Sequence, residues 1–287
     1  CRRNKTHLII FFIFLVSNIG GSLTPIGDPP LFLGFLKGVD FTWTMIHMLK
    51  PMLLLSSILL ILFYFVDSYY YKKENIIQNS EEKFSLKIDG KVNFILIGII
   101  IGAVILSGHD SLKYSIFDFH NVTMMTAGAC AQLLILLFVT LISLKITPKE
   151  YREGNGFTWE PIKEIAKLFA TIFLTMVPAI EMLKGVTNQT GPLSWINKII
   201  INEDGSNMDL MYFWLTGILS SFLDNAPTYV VFFTTALGNN DVQWLMVTGN
   251  TLLAISCGAV FMGAMTYIGN APNFMVKSIA EENDIIM

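Results

Sequence analysis

The stretch GSLTPIGDPPLF at residues 21–32 has a second copy near the other end of the chain, GAMTYIGNAPNF at residues 263–274. When Thr24 is set against Thr266, six of the twelve positions are identical. Both copies place glycine and proline inside long apolar runs. These residues interrupt helices, because proline removes a backbone donor and glycine loosens the helix. The two stretches therefore predict two similar helices, each broken at the repeated motif.

The regions around the motifs have the composition of a membrane protein. Of the 287 residues, 53% are hydrophobic and only 14% are charged, and the mean hydropathy is +0.57; soluble domains carry roughly 25% charged residues. Several apolar stretches approach or exceed the roughly 17 to 25 residues that cross a bilayer as a helix. We predict an all-α polytopic membrane protein of the bacterial inner membrane, surrounded by lipid. The stretches are 7–36, 45–66, 92–107, 121–144, 166–183, 209–237 and 243–280.

Lysine and arginine indicate which ends of the spans face the cytoplasm, because cytoplasmic loops collect them. Residues 1–6, 67–91 and 145–167 together hold 13 of the 19 basic residues. If these segments are cytoplasmic, 209–237 is a re-entrant hairpin that turns at Asp224 to Pro227. The broken helix 243–280 then crosses in the direction opposite to 7–36. This pattern predicts an inverted-topology repeat with a site near the membrane midplane.

The repeat divides the chain into three parts. Residues 1–66 are interpreted as the end of the first repeat with broken helix 7–36, 67–91 as a cytoplasmic linker, and 92–287 as the second repeat with hairpin 209–237 and broken helix 243–280. By the same logic a hairpin should precede the first broken helix. That hairpin would lie upstream of Cys1, so we expect the chain to be truncated at its N-terminus.

Oxygen-bearing side chains line the breaks, and no basic residue is among them. A carboxylate at membrane depth is costly and marks a functional site by default, and oxygen ligands suit a hard cation such as sodium. An aspartate can also gain a proton when the cation leaves, since burial disfavours its ionised form. We therefore hypothesise that Na⁺ and H⁺ compete for one carboxylate, with Asp224 the first choice and Asp28 the second. The other oxygen-bearing residues are Asn225, Asn270, Thr24, Thr228, Thr266 and Asn273.

Other classes of function find little support. The net charge of −3 provides no basic surface for nucleic acid, and the sequence has no Ser/His/Asp arrangement, HExxH motif or phosphate loop, so we predict no enzyme. The three cysteines are far apart and predict neither a disulfide nor a metal site. We expect no cofactor and no metal beyond transported Na⁺. Glu181 is interpreted as an interfacial residue, and the 108–120 loop receives no role.

The breaks are recognisable as motifs: SNIGGSLTPIGDPPLFLGF (17–35), SFLDNAPTYVVFF (221–233) and GAMTYIGNAPNFMVKSIAEE (263–282). They resemble the ion transporter superfamily, and within it the NhaD-type sodium/proton antiporters and related citrate-transporter-like proteins. The resemblance implies two re-entrant hairpins, two unwound helices and a homodimer. It also implies ion-site roles for nine residues: Asp224, Asn225, Thr228, Thr24, Gly27, Asp28, Thr266, Gly269 and Asn270.

Two other transported substrates remain open. A sodium-coupled di- or tricarboxylate carrier of the citrate type is the main alternative, and arsenite export is a third possibility. Carboxylate carriers of the superfamily tend to show Ser-Asn-Thr signatures at both breaks, and this chain has none. Aspartate at two breaks would also repel an anion unless sodium screened it. Sodium/proton antiport is therefore the preferred function.

Overall fold

A computed structural model describes most of the chain. The residues outside the described part are 1–3, 75–89, 109, 113, 119–123, 155–157, 160–161, 164–165, 168–169, 172–173, 175–177, 179–193, 239, 283–284 and 286–287. Glu181 falls outside the described residues, and so do His109 and His120 of the 108–120 loop.

Helices dominate the described residues. They are α1 (Thr6–Phe12), α2 (Pro29–Leu36), α3 (Phe41–Lys73), α4 (Val92–Ser107), α5 (Ala127–Ile146), α6 (Lys149–Gly154), α7 (Asn197–Ile200), α8 (Asp209–Phe222), α9 (Asn225–Leu237), α10 (Val242–Val247), α11 (Thr251–Met262) and α12 (Ala271–Glu282). A π-helical turn (Ile13–Asn18) and a 3₁₀ turn (Ile19–Leu23) continue α1, and a 3₁₀ turn (Gly263–Met265) continues α11. Two short strands, β1 (Ser115–Asp118) and β2 (Met124–Thr126), pair antiparallel.

The chain forms two compact units. The smaller unit is Gln78–Glu160, in which α4 packs against α5. Asn93 joins these helices, since its Nδ2 donates to Thr147 Oγ1 and its Oδ1 accepts from Ser143 Oγ. Such interhelical polar bonds hold helices together in a bilayer, where lipid removes the hydrophobic driving force between them.

The larger unit, Cys1–Ile77 with Pro161–Met287, contains both broken helices. Its core lies where α8, α9 and α11 meet, and α8 packs on α11 more extensively than any other pair of described helices. Tyr212, Tyr229, Phe233, Leu252 and Ile255 are almost fully buried there. This core supports the turn between α8 and α9, where part of the candidate site lies.

Three helical stretches among the described residues are long and apolar enough to cross a bilayer: Thr6–Leu23, Phe41–Lys73 and Ala127–Ile146. The outer surface of α3 is apolar, with large exposed side chains such as Leu54, Ile61 and Phe65. Such a surface suits lipid rather than water. The predicted class of an α-helical membrane protein is therefore confirmed, while the inverted repeat, the re-entrant course of 209–237 and the three-part division stay predictions.

Three element boundaries differ from the sequence prediction. Helix α3 continues to Lys73, past residue 67, because its last turns pack on α1: His7 Nε2 lies 3.0 Å from Asp67 Oδ1, and its ring stacks on Tyr70. The turn in 209–237 is at Leu223–Asp224, and Pro227 lies in the first turn of α9, where its missing N–H costs no hydrogen bond. The third difference is an extra break at residues 248–250, where Gly249 has φ +70°.

Candidate functional site

The two repeated motifs have the same local backbone. In each, a 3₁₀ turn ends at a threonine in extended conformation: Thr24 has φ −137° and ψ 151°, and Thr266 has φ −134° and ψ 162°. Each break then runs for four more residues, and the next helix begins after Asp28 or Asn270. The two similar sequence motifs thus have similar backbone conformations.

Close contacts between backbone segments explain why both motifs have glycine at the same positions. A Cβ on Gly27 would overlap the backbone of Gly21, and a Cβ on Gly269 would overlap the carbonyl oxygen of Gly263. A Cβ on Gly269 would also lie 2.7 Å from the carbonyl oxygen of Ser220. Glycine lets backbone approach backbone this closely because it has no side chain. In both motifs, therefore, a pair of glycines six residues apart holds the two sides of the break together.

Asp28 stands at the N-cap position of α2, yet its carboxylate makes no capping hydrogen bond. The first two residues of the helix, Pro29 and Pro30, have no N–H that a cap could bind. The side chain is only 2% exposed. Its oxygens instead accept hydrogen bonds from two asparagines: Asn225 Nδ2 lies 3.3 Å from Oδ1 and 3.2 Å from Oδ2, and Asn270 Nδ2 lies 3.2 Å from Oδ1.

The two asparagines have spare acceptors. Asn225 and Asn270 are at most 1% exposed, and the Oδ1 atom of each is buried without a hydrogen-bond partner among the residues that the structure describes. A buried polar atom without a partner is rare in native proteins and calls for an explanation, such as an ion or water. Asp28 thus bonds to two amides whose own oxygens are unpartnered among the described residues, and carboxylate and amide oxygens are ligands that suit a hard cation.

Three helices begin at this cluster. Asp28 precedes α2, Asn225 is the first residue of α9, and Asn270 precedes α12. A further bond joins the breaks, because the backbone N–H of Asn225 donates to the carbonyl oxygen of Gly269 at 3.0 Å. Helix N-termini carry partial positive charge and stabilise a nearby anion. The anion on which these three converge is the carboxylate of Asp28.

The remaining candidate residues make local hydrogen bonds within the two breaks and at the start of α9. Asp224 is partly exposed and caps α9, since its Oδ1 accepts from the N–H of Ala226. Thr228 Oγ1 donates to the carbonyl oxygen of Asp224. Thr266 Oγ1 donates to the Ser221 carbonyl and accepts from the N–H groups of Ile268 and Gly269. The carbonyl oxygen of Thr24 accepts from the N–H of Gly27.

Two further asparagines extend the cluster, and neither is among the nine candidates. Asn18 and Asn273 are 0% exposed. Asn18 Oδ1 accepts from Asn270 Nδ2 at 3.1 Å, and Asn18 Nδ2 donates to Asn273 Oδ1 at 2.6 Å. The available signal for Asn18 is an amide side chain two residues after the apolar run 8–16, because a polar group at membrane depth needs an internal partner.

A family model with the description "Putative citrate transport" matches residues 1–287, which is the whole chain. No curated protein and no solved structure matches the chain significantly.

Proposed function

The chain belongs to the citrate-transport family, which supports a secondary transporter in general, and we propose that it exchanges sodium for protons at Asp28. The family match and the apolar helices make it an integral membrane protein. One observation carries the choice of ion: a buried carboxylate lies between two asparagines whose amide oxygens are unpartnered.

The same two amides can serve both ions. With their Nδ2 groups toward Asp28, they stabilise the negative charge through hydrogen bonds. Half a turn of the Asn225 amide about χ2 presents oxygen to Asp28 instead of nitrogen, and an oxygen can coordinate a cation or accept a proton from the carboxylic acid. Asn270 keeps its Nδ2 on Asp28, because that group also donates to Asn18. Sodium and a proton each neutralise the single charge of Asp28. They therefore compete for it, and the binding of one favours the release of the other.

We assign the central role to Asp28 and a secondary role to Asp224, which reverses the order expected from the sequence. Asp28 is buried and bonds to side chains from two other elements, whereas the side chain of Asp224 is partly exposed and caps its own helix. A carboxylate that already accepts a capping hydrogen bond is less available to bind a cation or a proton. Asp224 instead adds negative charge next to Asn225, at the start of α9.

A sodium-coupled carrier of citrate or another di- or tricarboxylate is the second candidate. The family description favours it, and helix N-termini are ready binding sites for a substrate carboxylate. Against it, the Asp28 carboxylate already lies where the three helices begin, so a substrate anion would meet like charge in a buried setting. Such juxtaposition costs several kcal/mol unless a cation intervenes.

The proposal extends to the surroundings of the protein. We propose a homodimer in the inner membrane of a bacterium, in contact with lipid and with no cofactor besides the transported Na⁺ and H⁺. The resemblance to the ion transporter superfamily supports the dimer. Cross-linking in native membranes tests it: a single cross-linked species of twice the monomer mass is expected, and monomer alone would contradict it.

A transport assay separates the two candidate functions. The full-length protein is reconstituted in liposomes that contain a pH-sensitive dye, and sodium is added outside with the membrane potential clamped. Antiport is expected to lower the internal proton concentration, because sodium enters the vesicles as protons leave them. Protein-free liposomes of the same lipid are the control for leakage.

The same vesicles are tested with labelled citrate and labelled succinate. Under the antiport proposal neither accumulates above the protein-free control, with or without sodium. Accumulation of a carboxylate that requires sodium, together with no movement of protons, would contradict antiport and establish the carrier. Export of arsenite from loaded vesicles without sodium dependence would contradict both.

A further inference from the structure

A line of buried amides connects the two broken helices through Asn18. From Asp28 it runs to Asn270, then to Asn18, and from there to Asn273. Asn18 comes from the first broken helix, at the end of its π-helical turn, whereas Asn270 and Asn273 belong to the second. Asn18 is therefore the member of this line that joins the ion site in one direction and the second break in the other.

Every hydrogen-bonding group of the Asn18 amide is engaged. Its Nδ2 donates to Asn273 Oδ1 at 2.6 Å and to the carbonyl oxygen of Ile13 at 2.8 Å, and its Oδ1 accepts from Asn270 Nδ2 at 3.1 Å. The bond to Ile13 fixes which end of the amide is nitrogen, because a carbonyl oxygen accepts hydrogen bonds and donates none. The orientation of Asn18 is thus set by its own helix.

Asn18 in turn determines the orientation of Asn270. Its Oδ1 and Asp28 Oδ1 both accept from the Nδ2 group of Asn270, so that group is held from two sides. The Oδ1 atom of Asn270 is then the one left without a partner. Asn225 shows no comparable second acceptor among its hydrogen bonds in the described structure, so its amide is the freer of the two.

The other end of the line reaches the second break. Asn273 Nδ2 donates to the carbonyl oxygens of Gly263 and Thr266, at 2.9 and 3.1 Å. These carbonyls lie where the helical hydrogen-bond pattern of the second broken helix ends, so Asn273 supplies donors that the helix itself lacks. Asn18 Nδ2 donates to Asn273 Oδ1 and so holds the Asn273 amide in the orientation that lets it bond to these two carbonyls.

We propose that Asn18 is a positioning residue for the ion site: it holds the Asn270 amide with its nitrogen on the Asp28 carboxylate, and ties that amide to the second break. The inference rests on the proposed function, because it concerns cation binding at Asp28. Without Asn18, the Asn270 amide could take more than one orientation. Ordering it when the cation binds would then weaken the affinity for the cation.

The test compares Asn18→Ala with wild type in sodium-driven proton flux, measured over a range of sodium concentrations. The sodium concentration for half-maximal rate is expected to rise about fivefold to tenfold, because one buried hydrogen bond contributes about 1 kcal/mol. The maximal rate is expected to stay within about twofold, since the carboxylate is untouched. A residue with only a structural role would change the maximal rate or the protein yield and leave the half-saturating concentration unchanged.

Two further variants make the comparison sharper. Asn18→Ser keeps a small polar group that can bond to its own helix but cannot reach Asn270. It should raise the half-saturating sodium concentration as Asn18→Ala does, and it keeps the test usable if the alanine variant fails to fold. Ser22→Ala is the matched control: Ser22 is also 0% exposed on the continuation of α1, and its Oγ donates to the carbonyl of Ile19. Its half-saturating sodium concentration should match wild type.

The inclusion of Asp28→Asn separates failure of the inference from failure of the proposed function. If Asp28→Asn has no coupled flux while both Asn18 variants keep wild-type half-saturation, Asn18 does not position the site and the function stands. If Asp28→Asn keeps wild-type flux, the proposed function itself is wrong. If both Asn18 variants are lost from the membrane while Ser22→Ala accumulates normally, Asn18 is a folding residue and the inference is overturned.

Discussion

Asp28→Asn is expected to lower sodium-driven proton flux by about 100-fold or more, with the protein still inserted at wild-type levels. The variant removes the charged partner of the proposed bound sodium ion. Loss of one partner of a buried charge pair costs roughly 2 to 5 kcal/mol, and each 1.4 kcal/mol is about a factor of ten. The change keeps the size of the side chain and removes the group that alternates between a cation and a proton. Flux is measured in liposomes, and the protein level by quantitative immunoblot.

Asp224→Asn is the matched comparison for this prediction. Asparagine caps a helix as well as aspartate does, so the substitution should preserve the start of α9, where Asp224 Oδ1 accepts from Ala226. We expect flux within about tenfold of wild type, with the loss coming from a weaker local negative potential. If Asp224→Asn eliminates flux and Asp28→Asn does not, the carrier of the ion is Asp224 and our order is wrong.

Gly269→Ala is expected to disrupt the site through the backbone rather than through charge. The added methyl would overlap the Gly263 carbonyl and lie 2.7 Å from the carbonyl oxygen of Ser220. Overpacking of this kind costs typically about 1 to 3 kcal/mol, and here it would also displace the Gly269 carbonyl that holds the N–H of Asn225. We expect the Tm in detergent to fall by several degrees and coupled flux to fall at least about tenfold.

The control for this substitution is Gly98→Ala in α4. A Cβ on Gly98 meets nothing within 4 Å, and alanine is favoured over glycine inside a helix by about 1 kcal/mol. Its Tm and flux should therefore equal or slightly exceed those of wild type. Wild-type flux and Tm in Gly269→Ala would show that the close contact between Gly263 and Gly269 is not needed for the site.

Much of the architecture could be predicted because apolar length and proline position act locally. The repeated motif correctly located both helix breaks, since glycine and proline interrupt a helix whatever surrounds them. The far end of α3 could not be predicted in this way. Residues 67–73 are polar and read as linker, but Asp67 and Tyr70 pack on His7, sixty residues or more away in the chain. Contacts over such separations leave no periodic pattern.

The sequence predicts which polar residues lie at the breaks but not how their side chains are arranged. Residue type alone makes Asp28 and Asp224 comparable carboxylates at a break, and in the repeat Asp28 is matched by the neutral Asn270. The structure distinguishes them by what each side chain bonds to. Asp28 and Asn270 occupy equivalent positions of the two motifs and bond to each other, with Asn270 as the donor. The difference between the two motifs therefore pairs one charge with one amide.

Asn18 illustrates a second limit of the sequence. It lies outside the repeated motif, and the π-helical turn that positions it has no sequence signature that we could use. Such turns often occur at functional sites, because the extra residue per turn redirects the side chains that follow. Here the redirected side chain reaches across to Asn270 and Asn273 in the second broken helix.

The most direct test of the central claim is a measurement of sodium binding and proton release on the same purified protein. Sodium is titrated into weakly buffered, detergent-solubilised wild type and Asp28→Asn, with heat recorded by calorimetry and released protons by a pH indicator. We predict saturable binding to wild type with release of about one proton per sodium, and affinity that falls as pH falls because protons compete. Asp28→Asn should show neither signal. Equal sodium binding and proton release in the two proteins would contradict the assignment of the ion site to Asp28.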